Sequence, residues 1–420
     1  MTSPPSATPV ATATDVPAPA TADRIRIGIV SPFERVGGRI GTSPFPLSNV
    51  VAHAWDIESM PVARFLFRAL YQYDSLLSPV PDLASEPCRV TSGLLEVTCK
   101  IGAATFSDGH ELTAADVVFT YEVAMTPACP FGQYSGCLID SVASVEAIDT
   151  MTVRFTLPEP SPSFVTVTLP TLWIESEPLV RAQYDAFRVT AEAVGAEPLR
   201  EAAEALESAL DEAVDTDCEA LRGDAEALIE TAGIDLPDKA LWQIGPGRSF
   251  DTCGWTALLK DTLFNAADSL DVTGMESIAR AYPILPLNWH PVGTGLWVID
   301  DDETLLGSRV VLTPSPTADR RPATPRFEFV SYPTRRDAAE GYRVGDIDWL
   351  HIPADWGGGV EQGGADLFHL VESFDDVTFA EYADPTGFME LGFNVRQGQL
   401  FSDPNLRQAL RQCLDLGGLV

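Results

Sequence analysis

The sequence predicts an α/β chain carrying an additional α+β subdomain, and three observations predict it. The β-branched run IRIGIV from Ile25 to Val30, bracketed by charge and by Ser31-Pro32, has the composition of a buried strand. Val142 to Ile148 and Met151 to Leu157 flank Asp149-Thr150. In the second arm Met151, Val153, Phe155 and Leu157 alternate with Thr152, Arg154 and Thr156, the pattern of a half-buried antiparallel hairpin. Apolar stripes at helical spacing occur at Val117 to Met125, Leu199 to Ala213 and Leu221 to Ala232, so strands and helices are interleaved along the chain.

The stretch from Cys99 to Met125 reads CKIGAATFSDGHELTAADVVFTYEVAM. A strand-like run ends at Phe106, Asp108-Gly109 supplies a turn that tolerates positive φ, and Thr113 stands three residues before Asp116 as a variant of the capping box. A helix is therefore expected to start at Thr113, with Val117, Val118, Tyr121, Ala124 and Met125 on one face. Turn and cap roles account for Asp108, His110 and Asp116 without catalytic chemistry.

This stretch resembles the signature of the family 5 extracellular solute-binding proteins, the dipeptide, oligopeptide and nickel receptors of bacterial ABC importers. Phe106, Asp108, Gly109, Leu112, Thr113, Ala114, Asp116, Val117, Phe119 and Thr120 follow a pattern close to F-x-D-G-x-x-L-T-A-x-D-V-x-F-[ST]. Other segments resemble the family in the same order: Ala69-Leu70-Tyr71 through Asp74, Pro81-Asp82-Leu83-Ala84, and Val153-Arg154-Phe155-Thr156-Leu157. Pro291-Val292-Gly293-Thr294-Gly295, Gly345-Asp346-Ile347-Asp348, and Phe393-Asn394 with Arg407-Gln408-Ala409-Leu410 follow. A middle near Glu175 to Pro283 diverges.

The resemblance implies a two-lobe periplasmic-binding-protein-like (type II) architecture that closes on a small ligand, peptide by default, and delivers it to an ABC permease. It implies that the backbone after the first strand, at Ser31, Phe33 and Glu34, and the glycine motif Gly293, Thr294 and Gly295 line the ligand cleft. From the residues alone, a plain loop at either place reads the same way. It also implies a domain layout: residues 1–23 a Pro/Ala/Thr linker, 24–60 and 171–321 the first lobe, 61–170 the subdomain, and 322–420 an incomplete second lobe. A helix capped by Asp403-Pro404 would fall inside that second lobe, so the chain reads as C-terminally truncated relative to the family.

Composition narrows the partners. Lys and Arg number 27 against 61 Asp and Glu, a net charge of −34, which opposes a nucleic-acid backbone or an anionic lipid surface. No uninterrupted apolar run reaches the roughly eighteen residues of a spanning helix. The first 23 residues lack the basic and apolar segments of a signal peptide and resemble the spacer behind a lipid anchor, with no cysteine before Cys88 to carry one. Strand-GxGxxG-helix and Walker patterns, H-E-x-x-H and C-x-x-C are missing from the sequence, so no nucleotide, zinc or other cofactor is expected.

Seven cysteines remain to be placed. Sequence neighbours suggest Cys88 with Cys99 across a hairpin, Cys129 with Cys137 around a Pro/Gly loop and Cys218 with Cys253, while Cys413 reads as a small core residue. Three local pairs favour an oxidising, extracytoplasmic compartment; isolated thiols of a cytosolic protein are the alternative. The 196–233 segment reads as a helical hairpin that elaborates the surface of the first lobe. A monomeric binding protein without enzymatic activity is expected. A secreted hydrolase of glycans or peptides, suggested by the eight Trp, and a ligand-sensing domain of a regulator are the alternatives.

Overall fold

The computed structural model describes residues 23–30, 59–74, 78–91, 93–131, 137–138, 140–212, 222–236, 243–244, 249–250, 252–304, 309–332, 335–350, 371 and 373–374. The first strand is β1 (Ile25–Val30), and α1 (Ser59–Leu66) follows it among these residues. The stretch VARFLFRALYQYD from Val62 to Asp74 reads as helix-like throughout, but the helix ends at Leu66 and Tyr71–Tyr73 forms β2, antiparallel to β3 (Pro79–Pro81). Competing backbone partners explain the early stop. Leu66 O accepts from Gly295 N at 2.8 Å, and Leu70 O accepts from Asp82 N and Ala84 N at 3.0 and 3.1 Å. The Arg68 guanidinium closes the same corner on Asp82, with Nη2 to Oδ1 at 2.6 Å.

The subdomain sheet consists of β4 (Arg89–Val90), β5 (Glu96–Lys100), β6 (Ser144–Asp149) and β7 (Thr152–Thr156) in the order β4-β5-β7-β6. The expected hairpin pairs Val145 with Phe155, and the inward residues Val153 and Phe155 are fully buried. The strand before the signature stops at Lys100 instead of Phe106. Beyond it only single bridges form, Ala84 with Ile101 and Thr105 with Glu111. Helix α2 (Ala114–Ala124) begins as expected after Thr113. It is buried on more than one face, since Phe119 and Val123 are as buried as Val117 and Tyr121. Its second covered side packs on the helices that follow, so a single hydrophobic core runs through the subdomain and its neighbours.

Those helices begin with the short α3 (Leu169–Thr171) and continue through α4 (Glu177–Val194), α5 (Ala196–Glu212) and α6 (Arg222–Thr231). A small strand pair, β8 (Gln243–Ile244) and β9 (Ser249–Phe250), leads to α7 (Thr252–Leu270) and α8 (Met275–Ala281). The predicted hairpin is present as α5 and α6, ended by Gly233 at φ 71°. It is more than a surface elaboration: Leu199, Ala203, Leu206 and Ile229 are fully buried, and α5 packs along α7. The alanine-rich stripe was readable in the sequence, whereas the long partner helix α7 that covers it was not.

The last strands complete the sheet around β1. They are β10 (Trp297–Ile299), β11 (Arg309–Pro314), β12 (Phe327–Tyr332) and β13 (Trp349–Leu350), with α9 (Arg335–Arg343) between the last two. The order is β10-β11-β12-β1-β13, with β12 and β13 both parallel to β1. This corrects the expected boundary at residue 322: the β12-α9-β13 unit belongs to the sheet of β1, not to a second lobe. A six-residue apolar strand requires hydrogen-bonding partners on both edges, and residues 327–350 supply them. Ile25 and Ile27 stand opposite Phe327 and Phe329, while Arg26 is bound to Asp348 with Nη2 to Oδ1 at 2.7 Å.

Two expected disulfides are formed, Cys88–Cys99 and Cys129–Cys137. Cys253 is also disulfide-bonded, while its expected partner Cys218 lies outside the described residues. The linker, Cys413 and the helix at Asp403 lie outside them too. Among the described residues no helix is long and apolar enough to cross a membrane.

Candidate functional site: the signature turn and the glycine motif

In the signature the carboxylate of Asp116, fully buried, organises two helix starts. Its Oδ2 accepts from Thr113 N at 2.8 Å and Thr113 Oγ1 at 2.9 Å, which caps α2. Its Oδ1 accepts from Glu177 N at 2.9 Å, which caps α4, and lies 3.0 Å from His110 Nε2. Thr120 extends the seam: its Oγ1 donates to Asp116 O at 2.8 Å and accepts from Glu175 N at 3.0 Å. Every hydrogen-bonding position of the Asp116 carboxylate is thus occupied by structural partners, which leaves it no capacity to act as a base. The Asp108-Gly109 turn is likewise structural, with Gly109 at φ 95° and His110 N donating to Asp108 Oδ1 at 3.0 Å.

The glycine motif sits where α1, the signature turn and β10 meet. Gly295 N donates to Leu66 O at 2.8 Å, and Gly293 O accepts from Ser107 N at 3.0 Å. A Cβ on Gly293 would lie 2.1 Å from Leu66 O, and one on Gly295 would lie 2.2 Å from Phe65 O. Close backbone approach is therefore the reason for both glycines, and the backbone approached is the end of α1. Thr294 between them is 4% exposed, and its Oγ1 has no hydrogen-bond partner. Three residues on, the buried Trp297 Nε1 is unpartnered too, while its ring joins Phe65 and Phe327 at centroid distances of 5.0 and 5.2 Å. Two unmatched polar atoms beside the motif, Thr294 Oγ1 and Trp297 Nε1, are the local groups with hydrogen-bonding capacity to spare. The sequence nominated Thr294 by resemblance; it marked Trp297 only as one of several Trp.

Ser31, Phe33 and Glu34 lie outside the described residues, so of the six nominated positions only Gly293, Thr294 and Gly295 are placed. Glu175 was missed. It is buried between Ile174 and Ser176, beside the Tyr282 hydroxyl, which has no partner of ordinary hydrogen-bond geometry. Burial pushes its carboxyl up to about 8 against a small opposing pull from Tyr282. A lone Glu after the apolar run LPTLWI was its only sequence signal. Among the described residues no group of three or more His, Cys, Asp or Glu could hold a metal ion.

Comparison with known proteins agrees with the signature. Residues 78–198 match the profile of "Bacterial extracellular solute-binding proteins, family 5 Middle". Curated relatives include candidate ABC transporter peptide-binding proteins of Brucella ovis and Brucella suis, each 31% identical over 99 residues, covering 24% of this chain and 18% of the relative. Solved structures include the oligopeptide-binding protein AppA of Bacillus subtilis in complex with a nonapeptide, at 17% identity and TM-score 0.46, covering 84% of this chain and 46% of that one. Another is OppA of Burkholderia pseudomallei, at 14% identity and TM-score 0.45, covering 80% and 47%. Residues 78–198 are thus similar to the middle segment of the family 5 extracellular solute-binding proteins. It spans about half the length of these structures, and its match covers less than a fifth of the curated relatives.

Proposed function

We propose that this protein is the ligand-capturing receptor of an ABC importer, holding a small ligand, peptide by default, between two lobes outside the cytoplasm and passing it to a membrane permease. The observation that carries this reading is the signature itself: residues 106–120, inside the segment matched to the family, form the turn and doubly capped helix just described. In this reading the Gly293–Gly295 motif forms the first-lobe wall of the cleft, with Ser31, Phe33 and Glu34 opposite the ligand. Thr294 Oγ1 and Trp297 Nε1 are the buried polar atoms of this wall that lack a partner. The protein works as a monomer, binds no nucleic acid and performs no chemistry. The name of the Brucella relatives supports peptide as the cargo, and the disulfides support an oxidising compartment.

Thermal shift against di- to pentapeptides, oligosaccharides and metal chelates, with mass analysis of each mixture, tests it. Peptides are expected to raise the melting temperature by several degrees and to be recovered intact. A rise with a sugar or chelate but no peptide rejects the peptide assignment, and cleaved products reject the non-enzymatic one.

A further inference from the structure

Between α2, α4 and α8 lies a cavity of about 480 Å³ lined by Glu122, Arg181, Tyr184, Arg188, Met275 and Ile278. None of these belongs to the glycine motif or to the signature pattern. The volume falls within the range of small-molecule sites, about 300–1,000 Å³. Arg181 and Arg188 stand two turns apart on α4, about 10.5 Å along its axis, and both residues line the cavity.

Each guanidinium is held in place from behind. Arg181 Nε donates to Glu177 Oε1 at 2.7 Å, and Arg188 Nε donates to Glu192 Oε1 at 2.6 Å. Arg188 Nη1 donates to Ser277 Oγ at 3.0 Å and to the Tyr184 hydroxyl, and Arg181 stands 5.1 Å from the Phe119 ring centroid. Among the described residues this leaves Nη1 and Nη2 of Arg181 and Nη2 of Arg188 without a hydrogen bond. Prior immobilisation lowers the entropy cost of binding, and uncommitted planar N–H groups suit carboxylate geometry. Met275 and Ile278 supply apolar lining to the same cavity. The two arginines stand among three carboxylates, Glu177, Glu192 and Glu122, so what the cavity offers a carboxylate is their spare N–H donors and not a net positive charge. Glu122 is the opposing charge: burial pushes its carboxyl up, Arg181 pulls it down, and when ionised it competes for that guanidinium.

We propose that this cavity binds a linear dicarboxylate, one carboxylate on each arginine and the apolar spine across Met275 and Ile278. Calorimetry of the full chain with suberate, an α,ω-dicarboxylate, tests the assignment, with octanoate and 1,8-octanediol as controls. Suberate is expected to bind with Kd below about 1 mM, octanoate at least tenfold more weakly, and the diol not at all. Arg181→Gln is expected to weaken suberate at least tenfold, as is Met275→Trp, which fills the cavity without touching the charges. Glu122→Gln is expected to strengthen it. Melting curves identify which variants are folded, and either of the two weakening variants suffices. No heat with millimolar suberate, equal affinity for suberate and the diol, or wild-type affinity in a folded Arg181→Gln or Met275→Trp protein overturns the proposal.

Discussion

Replacing Glu175 by Gln should stabilise the protein, and by an amount that depends on pH. Glu175 is buried at a junction of three parts: Ile174 N donates to Arg68 O at 3.0 Å, Glu175 N donates to Thr120 Oγ1 at 3.0 Å, and its carboxyl faces Tyr282. Burial raises the carboxyl from the usual 4.5 to about 8. In the folded state the proton is therefore held over a range in which the unfolded chain has released it, so stability is fully present below the unfolded value and is lost as pH rises through the folded one. The shift from 4.5 to about 8 is worth roughly 5 kcal/mol at about 1.36 kcal/mol for each pH unit. Gln fills the same volume, carries no charge at any pH and removes this term. Urea unfolding of both proteins at about pH 5.5 and about pH 8 should therefore show the Gln variant's advantage growing by about 3 kcal/mol between the two conditions. Comparing variant with wild type cancels the titration of every other group. An advantage that is the same at both pH values refutes the reasoning, because Glu175 would then ionise as it does in water.

Three further outcomes follow from the same contacts. Asp116→Ala removes the caps of both α2 and α4 and should cost about 2–4 kcal/mol at about 1–2 per cap, read as a drop in urea midpoint; a change below about 0.5 would show that other groups cap these helices. Gly295→Ala puts a methyl 2.2 Å from Phe65 O and should destabilise by about 1–3 kcal/mol or more; unchanged melting would contradict the close packing on α1. Cys88 and Cys99 are 11 residues apart, so reducing or replacing that pair should cost about 3 kcal/mol by loop entropy. A thiol count on the denatured chain should give one free cysteine, and seven would end the argument for an oxidising compartment.

The local features of the fold were legible and the non-local ones were not. Thr113 with Asp116, Asp108-Gly109, the Val145 to Phe155 pairing and the two short disulfides all depend on residues within about a dozen positions of each other, where periodicity and turn chemistry operate. Arg26 and Asp348 are 322 positions apart, and nothing in either neighbourhood announces the other. Residues 327–350 look like any βαβ unit; that they flank β1 is decided by β1's need for neighbours. Helix α1 was overextended for a related reason: Ala69 to Tyr73 is helix-compatible in isolation, and only the ladder with β3 and the amide of Gly295 decide against it. At the candidate site, resemblance located Gly293 to Gly295, but composition could not say that their close neighbour is α1.

Most recognisable motifs of this chain turn out to hold the structure together. The Ala69-Leu70-Tyr71 and Pro81-Asp82-Leu83-Ala84 segments share one backbone ladder closed by Arg68 on Asp82. The Phe106 to Thr120 signature caps two helices. Asp348 of the Gly345-Asp346-Ile347-Asp348 motif both donates its amide to Arg26 O at 2.8 Å and receives the Arg26 side chain. Residues committed in this way to internal hydrogen bonds have no remaining capacity with which to distinguish one cargo from another. On the proposed reading, selectivity would reside in side chains that the signature leaves uncommitted, and Thr294 and Trp297 are candidates beside the glycine motif. Substitutions in the signature should lower the amount of folded protein while leaving the affinity of what folds intact. Thr294→Val and Trp297→Phe, which remove the unpartnered polar atoms and keep most of the packed volume, should on the proposed reading do the reverse.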